Sequence, residues 1–284
     1  MRKPSALLIA LVFGWLALIP FRSSAQASPV FIDDFSVTRN GVLIFDDPFS
    51  DGVPPPSAPN FTNGVPASYF VLGTLNESGG RVRLDTVGAE IRPGVASAQN
   101  FFVESVLLLT NIDPANLVLG LKNDDTFSVR GLFDLAVPSQ NLEFYGVRLT
   151  DVTLAPGNDL LHVGVRRGSD GIDRVQFFRL DQVANSFTLF GSSLLDPAHD
   201  QILLDLTRAS ALSDAITASF AFVDGGVAGP FTTFGTSADI FRGENFTRAQ
   251  FAFFTPVPEP ASLILFGVGL VALAAGSWKR SRRH

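Results

Sequence analysis

Cysteine is absent from the 284 residues, and tryptophan, tyrosine and histidine number only two, two and three. Without cysteine the chain can form no disulfide, no thiolate metal site and no lipid-modified cysteine anchor, and it has no cysteine nucleophile. Both tryptophans, Trp15 and Trp278, lie near the ends of the chain, so the long middle region holds none. A chain of this length can still bury a large core without covalent cross-links.

Three common catalytic patterns are also missing. The sequence contains no E-x-D-x-E strand of paired carboxylates, no G-x-S-x-G nucleophile elbow and no H-E-x-x-H zinc motif. In the middle region the glutamates stand singly, and the only histidines are His162 and His199. These absences predict a noncatalytic domain, with a hydrolase of dispersed active site left as an alternative.

Basic charge is scarce in the middle of the chain and enriched at its ends. Between Ser28 and Val257 lie 14 basic and 26 acidic residues, a net charge of −12, whereas the whole chain carries −6. An acidic domain of this kind is repelled by nucleic acid and by anionic lipid. The balance therefore excludes nucleic acid as a partner.

The first 27 residues have the three parts of a secretory signal peptide. Arg2 and Lys3 precede an apolar run over residues 6–19, and the segment closes on the small residues Ala25 and Ala27. A short apolar run followed by an A-x-A site is typical of cleavage by signal peptidase, here after Ala27. The alternative, an uncleaved N-terminal anchor, is disfavoured by Pro20 and by the A-x-A site.

A second apolar segment lies near the other end. Residues 261–278 contain no charged side chain, and as a helix they would be about 27 Å long, enough for a thin bilayer. Lys279, Arg280, Arg282 and Arg283 follow in the tail 279–284. The positive-inside rule places this tail in the cytoplasm and the middle of the chain outside it. The sequence thus predicts a C-terminal transmembrane helix in the inner membrane.

Pro258, Glu259 and Pro260 immediately precede that apolar segment. A P-E-P motif, an apolar helix and an arginine-rich end, in that order over residues 255–284, resemble the PEP-CTERM sorting signal. The resemblance implies an exosortase, a membrane protease-transpeptidase of Gram-negative bacteria that make exopolysaccharide, and cleavage near the motif. It also implies an anchored intermediate at the inner membrane and then a place at the cell surface or in the extracellular matrix. A plain C-terminal anchor with a proline-bearing linker is the alternative.

The region from residue 28 to residue 254 has the period-two alternation of β-strands. In residues 81–86, Val82 and Leu84 fall on one face and Arg81, Arg83 and Asp85 on the other. Similar runs recur about every ten residues between Gly, Pro, Asn and Asp, and helical periodicity is nearly absent. The pattern predicts one all-β extracytoplasmic domain, an antiparallel two-sheet sandwich.

Two short stretches resemble the start of concanavalin A-like, or laminin G-like, jelly-roll domains. They are F-D-D-P-F-S-D-G at residues 45–52 and G-G-R-V-R-L at residues 79–84. The resemblance implies a jelly roll of about a dozen strands. That fold hosts sugar binders, glycosidases and adhesive modules, so it does not select an activity.

Calcium is the one cofactor for which candidate ligands exist. Hard cations bind clustered loop oxygens, and three acidic groups qualify: Asp33 and Asp34 with Asp46 and Asp47, Asp124 with Asp125 after Asn123, and Asp170 with Asp173. None has the spacing of a known calcium loop. Ordinary turn chemistry, in which Asp and Asn bind nearby backbone amides, is the alternative.

Three functional classes follow. The first is a noncatalytic surface or matrix protein that associates with exopolysaccharide; the second is an adhesive or structural module with a protein partner; the third is a glycan-active hydrolase. Sugar rings commonly stack on exposed aromatic side chains, and Tyr69 and Tyr145 are the only tyrosines available. A sugar-binding site must therefore use these tyrosines or some of the phenylalanines.

Overall fold

The computed structural model describes residues 29–50, 58–62, 64, 66–72, 74–77, 79–85, 90–93, 101–111, 121, 125–151, 159–181, 184, 186–212, 215–237 and 246–256. The predicted signal peptide, the P-E-P motif, the predicted transmembrane helix and the basic tail lie outside these residues. Within the described ranges there is no helix that is long and apolar enough to cross a membrane.

The described residues form seventeen β-strands and the turns between them. In chain order the strands are β1 (Val30–Arg39), β2 (Val42–Asp47), β3 (Ala67–Leu72), β4 (Thr74–Glu77), β5 (Val82–Asp85), β6 (Glu90–Pro93), β7 (Phe101–Asn111), β8 (Phe127–Asp134), β9 (Phe144–Asp151), β10 (Asp159–Arg167), β11 (Asp173–Asp181), β12 (Ser186–Leu194), β13 (Gln201–Arg208), β14 (Ile216–Asp224), β15 (Val227–Ala228), β16 (Thr232–Ser237) and β17 (Phe246–Pro256).

These strands make two sheets in which every described ladder is antiparallel. Sheet A has the order β15-β14-β13-β8-β1-β5-β4, with β16 also on β14 and β2 on β1. Sheet B has the order β12-β11-β10-β9-β17-β7-β3, with β6 also on β7. One sheet is curled, and the whole is consistent with a jelly-roll-like fold. The predicted all-β class and two-sheet antiparallel architecture are thus confirmed.

The core lies between the two sheets, and the period-two pattern selects its residues. Val82 and Leu84 are buried while Arg83 is exposed, and Ile202 and Leu204 of β13 are fully buried. Sheet B contributes an equivalent row from β9, β10 and β11: Tyr145, Val147, Leu149, Leu161, Val163, Val165, Val175 and Phe177. Alternation along each strand therefore decides which side chains enter the core.

Two-residue turns join some neighbouring strands. Between β1 and β2, Asn40 and Gly41 both have positive φ, at 50° and 75°, which matches the N-G type I′ turn of tight hairpins. Gly225 and Gly226 play the same part between β14 and β15. The alternation did not predict β6, β12, β15 and β16. These strands are short or lie at a sheet edge, where no two-faced burial imposes a pattern on the sequence.

Candidate functional site

The domain begins and ends at the same end of the sandwich. Near the start of β1, Ile32 pairs with Phe133 close to the end of β8. Near the end of β17, Phe254 pairs with Phe144 at the start of β9. Residues 135–143 connect β8 directly to β9, so the first strand and the last strand emerge together. We call this end, which also carries the β10–β11 turn, the β12–β13 connection and the β14–β15 turn, the tail-bearing end.

Hydrogen bonds from side chains fix the connection between β8 and β9. The Tyr145 hydroxyl donates to the carbonyl of Ala136 at 2.8 Å and accepts from its N–H at 3.0 Å. One carboxylate oxygen of Glu143 accepts from the N–H and hydroxyl of Ser139 and from the N–H of Gln140, at 2.9–3.0 Å. Burial raises the pKa of Glu143, and the bonds from Ser139 and Gln140 counteract that shift. The connection is therefore held by bonds to its own backbone.

The turn between β10 and β11 contains two of the predicted calcium ligands. Asp173 receives two hydrogen bonds of 2.8 Å from Arg167, and Asp170 receives bonds of 2.9 and 2.8 Å from Arg174. The Arg174 bonds hold the pKa of Asp170 at about 2. Each carboxylate thus already has a bidentate cationic partner, which a calcium ion would have to displace.

The other calcium candidates do not join this turn. Asp125 lies at the opposite end of the sandwich, where its carboxylate accepts a 2.7 Å bond from the Asn40 amide, and Asp124 is outside the described residues. In the described part of the chain, no three His, Cys, Asp or Glu side chains are grouped so that they could hold a metal ion. Only Asp170 shows the turn chemistry that the sequence offered as an alternative, since it accepts a 3.1 Å bond from the N–H of Ile172. Asp125 and Asp173 instead accept bonds from the side chains of Asn40 and Arg167.

The aspartates of the first acidic group, at positions 33, 34, 46 and 47, lie in different surroundings. Burial, and then the nearby Asp134, raises the pKa of Asp33 to about 6, while burial and the charges of Asp46 and Asp47 raise that of Asp34 to about 6. Asp47 is itself buried, and it accepts a 2.6 Å bond from the Tyr69 hydroxyl and a 2.9 Å bond from the N–H of Phe49. The Asp47 carboxylate therefore has a structural role, since it holds Tyr69 and Phe49 in the core by hydrogen bonds.

Neither tyrosine can serve as a sugar platform. Tyr69 is 3% exposed and Tyr145 is 0% exposed, and both belong to the core between the sheets. The exposed rings of Phe187 and Phe231 each have a guanidinium above them, from Arg166 at 4.9 Å and from Arg130 at 5.7 Å. In the part of the chain that the structure describes, the exposed aromatic rings are therefore partners of arginine.

The outer face of sheet A presents rows of hydroxyl groups. One row runs across neighbouring strands through Thr38, Ser128, Thr207 and Thr217 to the position of Thr236. The next row has Ser36, Arg130, Asp205, Ser219 and Thr233 in register. Neighbouring strands are about 4.8 Å apart, so the rows form a regular lattice. We call these two rows the hydroxyl face.

An ion pair occupies the middle of the hydroxyl face. Asp205 accepts a 2.8 Å bond from Arg130 and bonds from the hydroxyls of Ser128 at 2.8 Å and Thr207 at 2.9 Å. Although alternation places Asp205 on the outer side, these neighbours leave it only 5% exposed. The face therefore offers neutral hydroxyls around a compensated charge.

The outer face of sheet B has a second, small apolar cluster. Phe144 and Phe178 are buried there, and the His162 ring stacks on Phe178 with centroids 4.7 Å apart. Burial and the charge of Arg148 lower the pKa of His162 well below its usual value, so its ring is neutral. His199, in contrast, lies at the tail-bearing end, with Nδ1 2.7 Å from Asp224. The two histidines serve separate structural contacts.

Comparison with known proteins identifies the C-terminal segment. Residues 256–283 match the family model of the PEP-CTERM protein-sorting motif. No curated protein matches the chain. The motif match begins at Pro256, the residue at which β17 ends.

Solved structures resemble the chain only distantly. A GH43_12 protein retrieved from a capybara gut metagenome is 9% identical with a TM-score of 0.39, covering 75% of this chain and 34% of that one. A GH43 glycoside hydrolase engineered to display endo-xylanase and exo-arabinofuranosidase activity is 10% identical with a TM-score of 0.24, covering 60% and 40%. The chain therefore matches less than half the length of either protein, and similarity at this level assigns no activity.

Proposed function

We propose that this chain, which its PEP-CTERM motif implies is exported and anchored in the membrane before exosortase processing, is a noncatalytic surface or matrix protein that associates with exopolysaccharide. Residues 1–27 act as the signal peptide that signal peptidase removes. Pro258, Glu259 and Pro260 form the recognition segment, and the basic residues 279–283 keep the C-terminus in the cytoplasm. The β-sandwich between them carries the binding function.

The hydroxyl face is the observation that supports the polysaccharide partner. A Ser or Thr hydroxyl can donate and accept a hydrogen bond, as sugar hydroxyls do, and the lattice repeats across five strands. Ser128 and Thr207 already donate to Asp205, so donation to a glycan falls to the other hydroxyls of the face. The Arg130–Asp205 pair leaves no uncompensated charge in its centre. Because the domain is strongly acidic, a neutral glycan suits this face better than an anionic one. Binding rests on hydrogen bonds, since both tyrosines are buried and the exposed rings of Phe187 and Phe231 have arginine guanidinium groups above them.

Exopolysaccharide binding is tested with Thr→Val substitutions, which remove a hydroxyl and keep the shape of the side chain. In the double variant Thr217→Val and Thr233→Val, both residues stay β-branched, so the strands are preserved while two hydroxyls of the hydroxyl face are lost. We expect binding to exopolysaccharide purified from the source bacterium to weaken about tenfold, in line with two hydrogen bonds of about 0.5–1.5 kcal/mol each. Thr188→Val, an exposed threonine of β12 in sheet B, is the matched control and leaves binding unchanged. Equal binding by the double variant and the control contradicts the assignment.

Sorting is tested separately at the C-terminus. Mass spectrometry of the native protein from cells with and without the exosortase is expected to show a shortened C-terminus only when the enzyme is present. Glu259→Ala should block the shortening, whereas Ser262→Ala, two residues beyond the motif, should not. A full-length C-terminus in both strains would contradict exosortase processing.

A protein partner is the second candidate, and the edge of sheet B favours it. β12 is the terminal strand of that sheet, and Phe187 and Leu189 are exposed on it. An exposed apolar edge can pair with a strand of another chain. Leu189→Lys would then abolish cell-to-cell attachment without changing exopolysaccharide binding.

A further inference from the structure

The predicted mature N-terminus and the C-terminal segment that leads to the membrane both leave the domain from its tail-bearing end. β1 starts at Val30, two residues after the predicted mature N-terminus Ser28, and β17 ends at Pro256. β17 lies inside sheet B between β9 and β7, so its course is fixed by ladders on both sides. The direction in which the C-terminal tail departs is therefore set by the fold.

The tether on the C-terminal side is short. Only residues 257–260 separate the end of β17 from the predicted transmembrane segment, and four fully extended residues span at most about 14 Å. β10, with nine residues from the far end to the tail-bearing end, is about 30 Å long. The tether is thus too short to let the domain turn over and bring its far end to the bilayer.

Apolar side chains are exposed at the tail-bearing end. They are Val137 in the β8–β9 connection, Ile172 in the β10–β11 turn, Leu194 at the end of β12 and Val227 after the β14–β15 turn. Leu194 is 68% exposed and Val227 73% exposed. Single apolar side chains of this kind can insert among lipid headgroups at little cost.

Three carboxylates at this end form ion pairs with arginine: Asp134 with Arg81, Asp173 with Arg167 and Asp170 with Arg174. Asp196 and Asp224, at the same end, face His199 instead. The domain as a whole is acidic and would be repelled by an anionic leaflet. Pairing at the tail-bearing end lowers that repulsion where the domain comes nearest to the lipid.

From the exit points, the tether length and these side chains we infer that the anchored precursor stands end-on, with its tail-bearing end against the headgroup surface of the bilayer. This inference rests on the anchoring in the proposed function. The contact orients the hydroxyl face and the edge strand β12 roughly perpendicular to the membrane, so both are accessible before the tail is cleaved.

The orientation can be tested with dyes attached to single cysteines. Because the native chain has no cysteine, each introduced cysteine is the only one that the dye can label. Single variants Leu194→Cys and Val227→Cys place an environment-sensitive dye at the tail-bearing end. Leu212→Cys and Val42→Cys are matched controls at the far end, where the native side chains are 100% and 60% exposed. Phe187→Cys reports on the outer face of sheet B. The full chain is reconstituted in phosphatidylcholine vesicles that contain a lipid with a quencher on its headgroup.

We expect quenching at positions 194 and 227 to exceed that at 212 and 42 by at least threefold. Equal quenching at all four positions, or quenching at 187 as strong as at 194, would overturn the end-on orientation, the second result indicating a side-on one. Vesicle flotation of the same samples separates the two proposals. A chain that does not float refutes the anchoring itself, whereas one that floats with uniform quenching refutes only the orientation.

Discussion

Gly164 of β10 should tolerate no side chain, and its replacement tests the pairing of β9 with β10. A Cβ at this position would lie 2.1 Å from the carbonyl oxygen of Tyr145 and 2.7 Å from the ring of Phe144. Gly164 pairs with Gly146 across the ladder, and the Phe144 ring covers both glycines. An alanine would have to push the two strands apart by about 1 Å, because the contacted oxygen belongs to the backbone.

The expected cost of Gly164→Ala follows from that geometry. Overpacking usually costs about 1–3 kcal/mol, and a clash with backbone in a central sheet belongs at or above the top of this range, about 3–4 kcal/mol. For a domain of this size, the melting temperature should fall by roughly 6–16 °C. Gly229→Ala is the control, since its Cβ would meet only the Phe222 carbonyl oxygen at 3.4 Å.

The measurement is urea unfolding of residues 28–256 followed by far-UV circular dichroism. Tryptophan fluorescence is unsuitable, since both tryptophans, Trp15 and Trp278, lie outside this region. A Gly164→Ala variant within about 1 kcal/mol of the parent, or one no less stable than Gly229→Ala, would refute the register in which Gly164 faces Gly146.

Three further predictions concern polar groups that are buried or half-buried. The pKa of Asp33 is raised to about 6 in the folded state, above the unfolded value of about 3.9. The folded protein therefore binds more protons than the unfolded chain, and its stability falls as pH rises from 4 to 6. Asp33→Asn should remove part of this pH dependence of the melting temperature. Tyr69→Phe removes the 2.6 Å bond to Asp47 and should cost about 1.5–3 kcal/mol in urea unfolding, and a loss below about 0.5 kcal/mol would contradict the bond. Arg208→Met should lower the free energy of unfolding by about 2–4 kcal/mol. The buried guanidinium donates to the Asp125 carbonyl at 2.8 Å and to the Ala211 carbonyl at 3.3 Å, and both bonds are lost. Retention of full stability would show that those carbonyls find other donors.

Much of the fold could be predicted because alternation along a strand is a local property. The pattern around Val82 and Leu84 indicated both the strand and its buried face. β12 was not predicted because it is an edge strand whose residues are mostly exposed, so burial imposes no alternation on it. The resemblance implied about a dozen strands, whereas the described residues form seventeen. Short edge strands such as β6 and β15 carry too few residues to show a period.

The candidate site was less predictable, because it depends on contacts between residues distant in sequence. Asp170 and Asp173 suggested a cation, but only the hairpin brings Arg167 and Arg174 to the same turn and pairs each carboxylate. The hydroxyl face had no sequence signal either. It arises from the register of five strands that span residues 30 to 237.

The sequence by itself predicted the all-β class of the fold and the sorting motif, which implies that the protein is exported and anchored in the membrane before processing. An apolar run with its flanking charges, a P-E-P motif and a period of two are all properties of contiguous residues. The family match at residues 256–283 agrees with the sorting motif. Only the tertiary structure decided that Tyr69 and Tyr145 are buried and that the chain enters and leaves at one end. Strand pairing between residues far apart in sequence controls burial and proximity, and no local pattern encodes which of these distant strands will pair.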